Sequence, residues 1–499
     1  MFNRSISVLA LFFICFSYVQ AQPDRATGLI FDPEAFNRLE SVPTWFGGNG
    51  EDLGNGEKSE NLPFSASLKD FVPPVGNQGN IGSCVGWASG YYALSTQIAR
   101  IKNLSSENIR RYARSALFIY NQIKNIDCGG GSTLESCGKF LKTNGDCANL
   151  DFDSPPDDCN RLPDEQLRTL AKAFAIQEYN ALFGRNTDAK VKIFKTKKML
   201  ANNIPVVIGM AIRHNFNNPS GLYWNPDEGD IRDYGGHALC VIGYDDRRQA
   251  FNIVNSWGTE WGNEGYIWVK YQDFARFAFF GYIFLAQENI PNLYEPDQPE
   301  SPDLISLRGK FLFRYPDWEQ SSTDTIAFHY VEPIYAGGHF YSLKKNDWKI
   351  NDQFQLVIKG MQAKKYVYVF SVDAEGYTVH WPRQVSFAGA FKSNETPLIP
   401  FDKVEIVIPD ALSALTRRVS GDDNICILYS EREILDFKNR LDRLQGSSGR
   451  SFGEKFTLVF QDLLIPASEI KYEKNAMSFS VQSASGKPLV PIVLRVQGE

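Results

Sequence analysis

The sequence has no excess of positive charge: 52 lysines and arginines stand against 58 aspartates and glutamates, for a net charge of −6. Neither half is basic, so the phosphate-neutralising surface of a nucleic-acid binder is missing. The nearest thing to a basic patch is Lys190, Lys192, Lys195, Lys197 and Lys198, whose helical spacing reads as a solvated helix face. Beyond the first residues no apolar run approaches the about 20 residues that a membrane-spanning helix needs. Internal repeats are absent. No cysteine pair has C-x2-C spacing and no histidine lies near the cysteine cluster, so a zinc site is not expected. No other metal or cofactor is implied. With 43% hydrophobic and 22% charged residues the chain is ordinary globular material, which excludes collagen-like, coiled-coil and wholly disordered readings.

The N-terminus is informative. MFNRSISVLALFFICFSYVQAQ carries a basic Arg4, an apolar core from Val8 to Tyr18 and small Ala21. It reads as a secretory signal over residues 1–21, cleaved between Ala21 and Gln22, with a core too short for an anchor. Cys15 has no small residue just before it, so lipid attachment is disfavoured. The mature chain is expected to be exported, to the periplasm or the exterior.

Seven cysteines follow the signal, and four of them, Cys128, Cys137, Cys147 and Cys159, crowd together. In an oxidising compartment two disulfides are expected there, with three possible connectivities. Cys84, Cys240 and Cys426 are left over, and one of them needs a reason to stay a thiol.

Residues 22–61 are polar and glycine-dotted, and read as an extension or short pro-segment. From Leu62 the chain becomes globular. A buried helix is expected from near Cys84, with further helices over 107–124, 132–143 and 164–176. After Pro205 the texture turns to short β-runs: PVVIGMAI, HALCVIGYDD, FNIVNSWG and GYIWVKY. The result is an α+β domain over 62–288 with a cleft between its halves. Residues 289–303 form a proline-rich acidic linker. A mainly β region over 304–499 follows, with FQLVIKG, KYVYVFSVDAEG and KVEIVIP as strands and an amphipathic helix from about Glu431 to Leu444. GSSG at 446–449 reads as a flexible break before FTLVFQDLLIP and LVPIVLRVQ.

Three segments converge on one chemistry. In QGNIGSCVGWA, Cys84 opens a helix, and the positive end of the helix dipole favours its thiolate. Gln78, six residues earlier, is placed to fold its amide back beside the sulfur and to form an oxyanion hole with the Cys84 N–H. In GGHALCVIGYDD, His237 stands at the start of a β-run as the base for that thiol. In NIVNSWGTEWGNEGY, Asn255 ends a strand, ready to orient the imidazole, and Trp257 is placed to shield that hydrogen bond. Cys240 belongs to the apolar run and reads as core; His214 reads as surface.

These residues resemble the papain-like cysteine peptidases, and the resemblance runs in order over residues 62 to about 288. LPFSASLKDFVPPVGNQGNIGSC resembles the nucleophile loop, CGGGSTLESCGKFLKTNG the Cys-Gly-Gly segment, and IPVVIGMAI, SGLYW, GGHALCVIGYDD and NSWGTEWGNEGYIWVKY the β-half. The resemblance implies a two-lobed fold, a helical lobe and a β-barrel lobe, and assigns Gln78 the oxyanion, Cys84 the nucleophile, His237 the base and Asn255 the orienting role. Cys84 and His237 lie 153 residues apart, close to the roughly 130–150 expected. It also implies that Gly130 and Gly131 admit a substrate backbone and that Trp257 lines the site. Three departures stand out. Ile81 occupies the position of a cysteine that usually precedes the Gly-Ser-Cys, so one common disulfide is missing. Val85 replaces the usual Trp, with Trp87 two residues on. No long helical inhibitory pro-segment is visible in 22–61.

In the C-terminal region His329, His339 and His380 are scattered, and Trp318, Tyr341, Trp348 and Trp381 read as β-core. KKYVYVFSVDAEGYTVHWPR and DDNICILYSEREI resemble an uncharacterised β-domain family appended to bacterial peptidases and kinases. Docking to a protein or envelope surface is its expected role. The whole reads as an exported peptidase acting on proteins or peptides through an acyl-enzyme. An acyl- or transpeptidase and a silent scaffold that binds through the β-domain are the alternatives.

Overall fold

The computed structural model describes residues 25–32, 62–152, 158–227, 235–291, 304–321, 326–382, 384–387, 390–393, 396–400, 402, 405–409, 413–446 and 451–498. The signal segment, most of 22–61, most of the linker and 447–449 of the GSSG break lie outside the described residues.

The helix that opens at Cys84 is α-helical over Cys84–Gly86, widens to π-type turns over Trp87–Leu94 and is α-helical again over Ser95–Lys102. All of Ala88–Leu94 is buried, as its small and apolar composition demands. The helix expected over 107–124 is two helices, Ser106–Tyr112 and Ala116–Ile123. Ser115 breaks the run by capping the second, its hydroxyl accepting from the Phe118 N–H. Leu134–Asn144 starts on a capping box of Thr133 and Ser136, and Glu165–Lys172 on an Asp164 cap.

Eight strands form one sheet: β1 (Ser65–Ser67), β2 (Glu178–Phe183), β3 (Val206–Ala211), β4 (Tyr223–Trp224), β5 (Gly236–Asp245), β6 (Ala250–Val254), β7 (Tyr266–Lys270) and β8 (Ala278–Leu285). Their order is β2-β8-β3-β5-β6-β7-β4, with β1 paired to β5. β3 and β8 are buried along their whole length, which is why they read as continuous apolar runs rather than alternating ones. β2 and β8 are additional to the β-runs read from the sequence.

The lysine cluster is a correction. It lies on the helix Ala189–Ala201, but Lys192, Lys195 and Lys198 are buried rather than forming a solvated face. Lys192 Nζ donates to the carbonyls of Ala275 and Ala278, 3.0 and 2.9 Å away, at the end of Tyr271–Phe277. The long lysine stems supply apolar surface while the ammonium reaches carbonyls that the helix end leaves open.

The cysteine expectation is also corrected. Cys128 and Cys159 are bonded, but Cys137 and Cys147 are free and buried, so one disulfide stands where two were expected. Cys137 packs in the main core and Cys147 in a separate cluster with Ile81, Tyr120 and Phe152. Cys240 is core, and His214 is exposed.

Residues 305–496 are mainly β. A seven-stranded sheet is built on Ile305–Asp317, and a six-stranded sheet places Asp423–Ser430 between Tyr366–Val372 and Leu489–Val496. Tyr341, Trp348 and Trp381 fill the interior, whereas Trp318 is 58% exposed, contrary to its reading as core. The amphipathic helix begins later than expected, at Phe437–Gly446, and FTLVFQDLLIP opens as part of a helix, Phe452–Phe460. This region contacts the first through Gln177, which donates to the Lys364 carbonyl and the Tyr366 hydroxyl, both 3.1 Å away. Lys365 pairs with Glu431 at 2.6 Å and Glu288 at 3.4 Å. Among the described residues no helix is long and apolar enough to cross a membrane.

The disulfide closes a loop with a sequence separation of 31. Chain entropy alone predicts that Cys159→Ser costs about 4 kcal/mol; denaturant unfolding of the two proteins checks this.

Candidate active site

Cys84 lies at the first turn of its helix because Ser83 and Gly82 turn the chain into it, and its side chain is wholly buried. The Ala238 N–H points at its sulfur across 3.4 Å. Ala238 follows His237, which sits in β5 opposite Met210 of β3. The sheet therefore carries the imidazole's neighbour directly onto the Cys84 sulfur.

His237 Nε2 lies 2.8 Å from Asn255 Oδ1. The same Oδ1 accepts from the Ser256 N–H at 2.8 Å, which identifies it as the oxygen. Nε2 must then be the donor, so in the neutral ring Nδ1 is bare. Among the described residues Nδ1 has no hydrogen-bond partner. Trp257 stacks on the imidazole with ring centres 4.5 Å apart and planes at 21°. Asn255 follows the end of β6, and its own carbonyl accepts from the Tyr92 hydroxyl at 2.9 Å.

Gln78 is buried, with its amide doubly fixed. Oε1 accepts from the Ser256 hydroxyl at 2.6 Å, and Nε2 donates to the Ile81 carbonyl at 3.0 Å and the Ala26 carbonyl at 3.1 Å. Ser256 was not singled out from the sequence, although it adjoins Asn255 in the same NSWG run. Trp87, two residues beyond Val85, packs on Tyr91 with ring centres 4.6 Å apart, its ring filling the space a Cβ at Gly76 would take.

The least expected feature is the eight-residue segment 25–32 of the N-terminal extension, which runs through the site. Leu29 N–H donates to the Gly236 carbonyl at 3.2 Å on one side. On the other, the Gly28 carbonyl accepts from Ser132 N–H at 2.8 Å and Ile30 N–H donates to the Ser132 carbonyl at 3.0 Å. A Cβ on Gly131 would lie 1.9 Å from the Gly28 oxygen, so this approach requires glycine there. Gly130 instead turns the loop, its own Cβ position lying against the Asn125 carbonyl. The Leu29 side chain is 7% exposed and reaches the space above Gly209 and Phe280. Ala26 offers its carbonyl to both Gln78 Nε2 and Trp257 Nε1, the latter 3.0 Å away. Arg25 ends the strap, donating to the Trp257 and Asn217 carbonyls with its guanidinium 5.7 Å over the Trp257 ring. Residues 25–32 carry no periodicity, so nothing in the sequence announced this.

Under the strap both reacting groups are cut off from water. Burial pushes the Cys84 thiol up to about 12, against hydrogen bonds from the Ala238, Val85, Cys84 and Leu29 amides that pull it down. Burial pulls His237 down to about 4, against the Asn255 hydrogen bond. Burial thus favours the neutral form of each group. No group of three His, Cys, Asp or Glu side chains able to hold a metal ion occurs among the described residues.

Residues 63–277 match the model of the papain family of cysteine proteases. Over 306 residues the chain is 25% identical to an uncharacterized peptidase C1-like protein of Acanthamoeba polyphaga mimivirus, covering 58% of this chain and 93% of the viral protein. It is 29% identical over 211 residues to cathepsin K of Gallus gallus, covering 40% of this chain and 55% of that protein, so it spans little more than half of the cathepsin. Among solved structures, xylellain, a cysteine protease from Xylella fastidiosa, is 24% identical with a TM-score of 0.41, covering 52% of this chain and 96% of that one.

Two outcomes follow from the strap. Leu29→Asp places a charge against apolar surface and should speed alkylation of Cys84 by about 10- to 100-fold, the value of burying one leucine; peptide mass spectrometry after iodoacetamide treatment measures it. His237 titrates near 6.5 when unburied and near 4 when closed. The open form therefore binds the extra proton between those values, and closure is fully stable above pH 6.5 and lost as pH falls through 4. Labelling of Cys84 by dipyridyl disulfide, which reacts with thiols in acid, should rise over that window relative to an unfolded control.

Proposed function

Residues 63–277 form a papain-family cysteine protease domain, and from that premise we propose that the chain is an exported peptidase that hydrolyses protein or peptide bonds at Cys84. The observation that supports this most directly is the chain of contacts from Cys84 Sγ to the Ala238 amide at 3.4 Å, and from the adjoining His237 to Asn255 Oδ1 at 2.8 Å. Nucleophile, base and orienting group thereby meet at one place, with the bare Nδ1 left to take a proton.

With the strap displaced, water lowers the cost of charge and the Cys84 proton passes to His237 Nδ1. The thiolate attacks the carbonyl carbon of the peptide. The developing oxyanion takes hydrogen bonds from Gln78 Nε2 and the Cys84 N–H, the first of which the Ala26 carbonyl occupies in the closed form. His237 returns the proton to the leaving amine, the acyl-enzyme remains, and water activated by His237 releases the acid and restores the thiol. Asn255 holds the ring in its tautomer throughout without adding a charge.

Export rests on residues 1–21, which we take as a removable signal. The region 304–499 is taken as a separate mainly β unit that docks to a protein or envelope surface.

Cys84→Ala should abolish turnover of a casein or peptide substrate while leaving the unfolding midpoint unchanged; turnover at the wild-type level would sink the reading. Gln78→Ala should lower kcat by about 10²–10³, the usual loss of one oxyanion donor. A chelator should leave the rate unchanged.

A further inference from the structure

The edge that receives an extended chain, Gly131–Ser132, belongs to a loop that must be held in register with the Cys84 loop. Where a cysteine would staple the two, this chain has Ile81, and Cys128 is bonded outward to Cys159 instead. Something else has to fix the distance. One direct link is the Gly82 N–H, which donates to the Cys128 carbonyl at 3.0 Å. The contact is close: a Cβ on Gly82 would lie 3.0 Å from the Gly130 oxygen.

The second link is Tyr120, on the helix Ala116–Ile123. Its side chain is wholly buried in the cluster that also holds Ile81 and Cys159. Its hydroxyl lies 2.6 Å from the Gly130 carbonyl, 2.8 Å from the Cys128 carbonyl and 3.4 Å from the Asp127 carbonyl. Tyr120 thus joins the two loops, packing in one buried cluster with Ile81 on the Cys84 side and donating to the carbonyls of the other loop. It has one proton for three carbonyls, and the shortest distance places it on Gly130, next to the residue that a Gly28-like backbone must pass. From outside, Asp127 Oδ1 holds the same loop by accepting from the Gly129 and Gly130 amides at 3.0 and 2.9 Å.

We propose that Tyr120 is a positioning residue that sets the chain-binding edge Gly131–Ser132 against Cys84, doing through packing on Ile81 and hydrogen bonds to the facing loop what a disulfide at position 81 does not do here. Tyr120 touches neither the reacting sulfur's partner nor the bound chain, so it acts through the loop. The inference rests on the peptidase reading for the nature of the chain that binds the edge. The strap provides a resident ligand for that edge in the full-length protein, so the test needs no substrate.

The experiment compares iodoacetamide labelling of each cysteine by peptide mass spectrometry in the full chain, wild type against Tyr120→Phe. Removal of the hydroxyl alone should loosen the edge, release the strap and raise the Cys84 labelling rate about three- to tenfold, the worth of one buried hydrogen bond. Cys137, Cys147, Cys240 and Cys426 should stay as protected as in the wild type. Turnover of an extended peptide should show a raised KM with kcat little changed. Unchanged Cys84 labelling overturns the proposal, and so does equal exposure of all five thiols, which marks a general loss of fold. Should Tyr120→Phe fail to fold, Asp127→Ala releases the same loop from its exposed side, and unchanged Cys84 labelling in that variant overturns it equally. Failure of the peptidase reading itself would show separately, as turnover that survives Cys84→Ala.

Discussion

The chemistry of this site depends on how much water reaches one sulfur and one imidazole. An Ala238 amide and an Asn255 acceptor favour the charged forms, yet burial outweighs them. Charge separation in a sealed apolar pocket is costly, and the strap supplies the seal. The same residues occupy the Gln78 amide with the Ala26 carbonyl and set the Leu29 backbone beside Cys84. Most of 22–61, where no long helical inhibitory segment was expected, lies outside the described residues, and residues 25–32 run extended through the site.

The strap is held by backbone hydrogen bonds on both sides. Leu29 and its neighbours satisfy backbone groups on both walls, Gly236 on one and Ser132 on the other. Such bonds read no side chain, so the grip comes from geometry, and its strength depends on the two walls keeping their separation. β5 fixes one wall through its pairing with β3 and β6. The other wall is a glycine-rich turn with little regular structure, which is why its attachment through Cys128, Gly82 and Tyr120 matters for the site.

Much of the site was legible from residues: Cys84, His237, Asn255 and Gln78 each carry a motif, and the structure brings them together. What could not be read divides into physical classes. Contacts made by backbone atoms, such as Gly28 with Ser132, leave no trace in side-chain type. The partner of Cys128 depends on a loop path that spacing does not determine. The lysines on Ala189–Ala201 misled because charge patterning assumes a solvated ammonium, whereas Lys192 satisfies carbonyls at a helix end. β2 and the helix Phe452–Phe460 were passed over because short apolar runs do not declare their period.

The C-terminal region has a structural reason for its position apart from any docking role. Among the described residues β2 ends the eight-stranded sheet, paired with β8 alone, and an open edge invites unwanted strand pairing. Gln177, at its start, is hydrogen-bonded to Lys364 and Tyr366, and Glu178 takes the Thr396 hydroxyl as well as Lys142. The second region therefore lies on the start of that edge. The strap anchors elsewhere, at Ser132, Gly236 and Trp257. The two sets of contacts therefore share no residue.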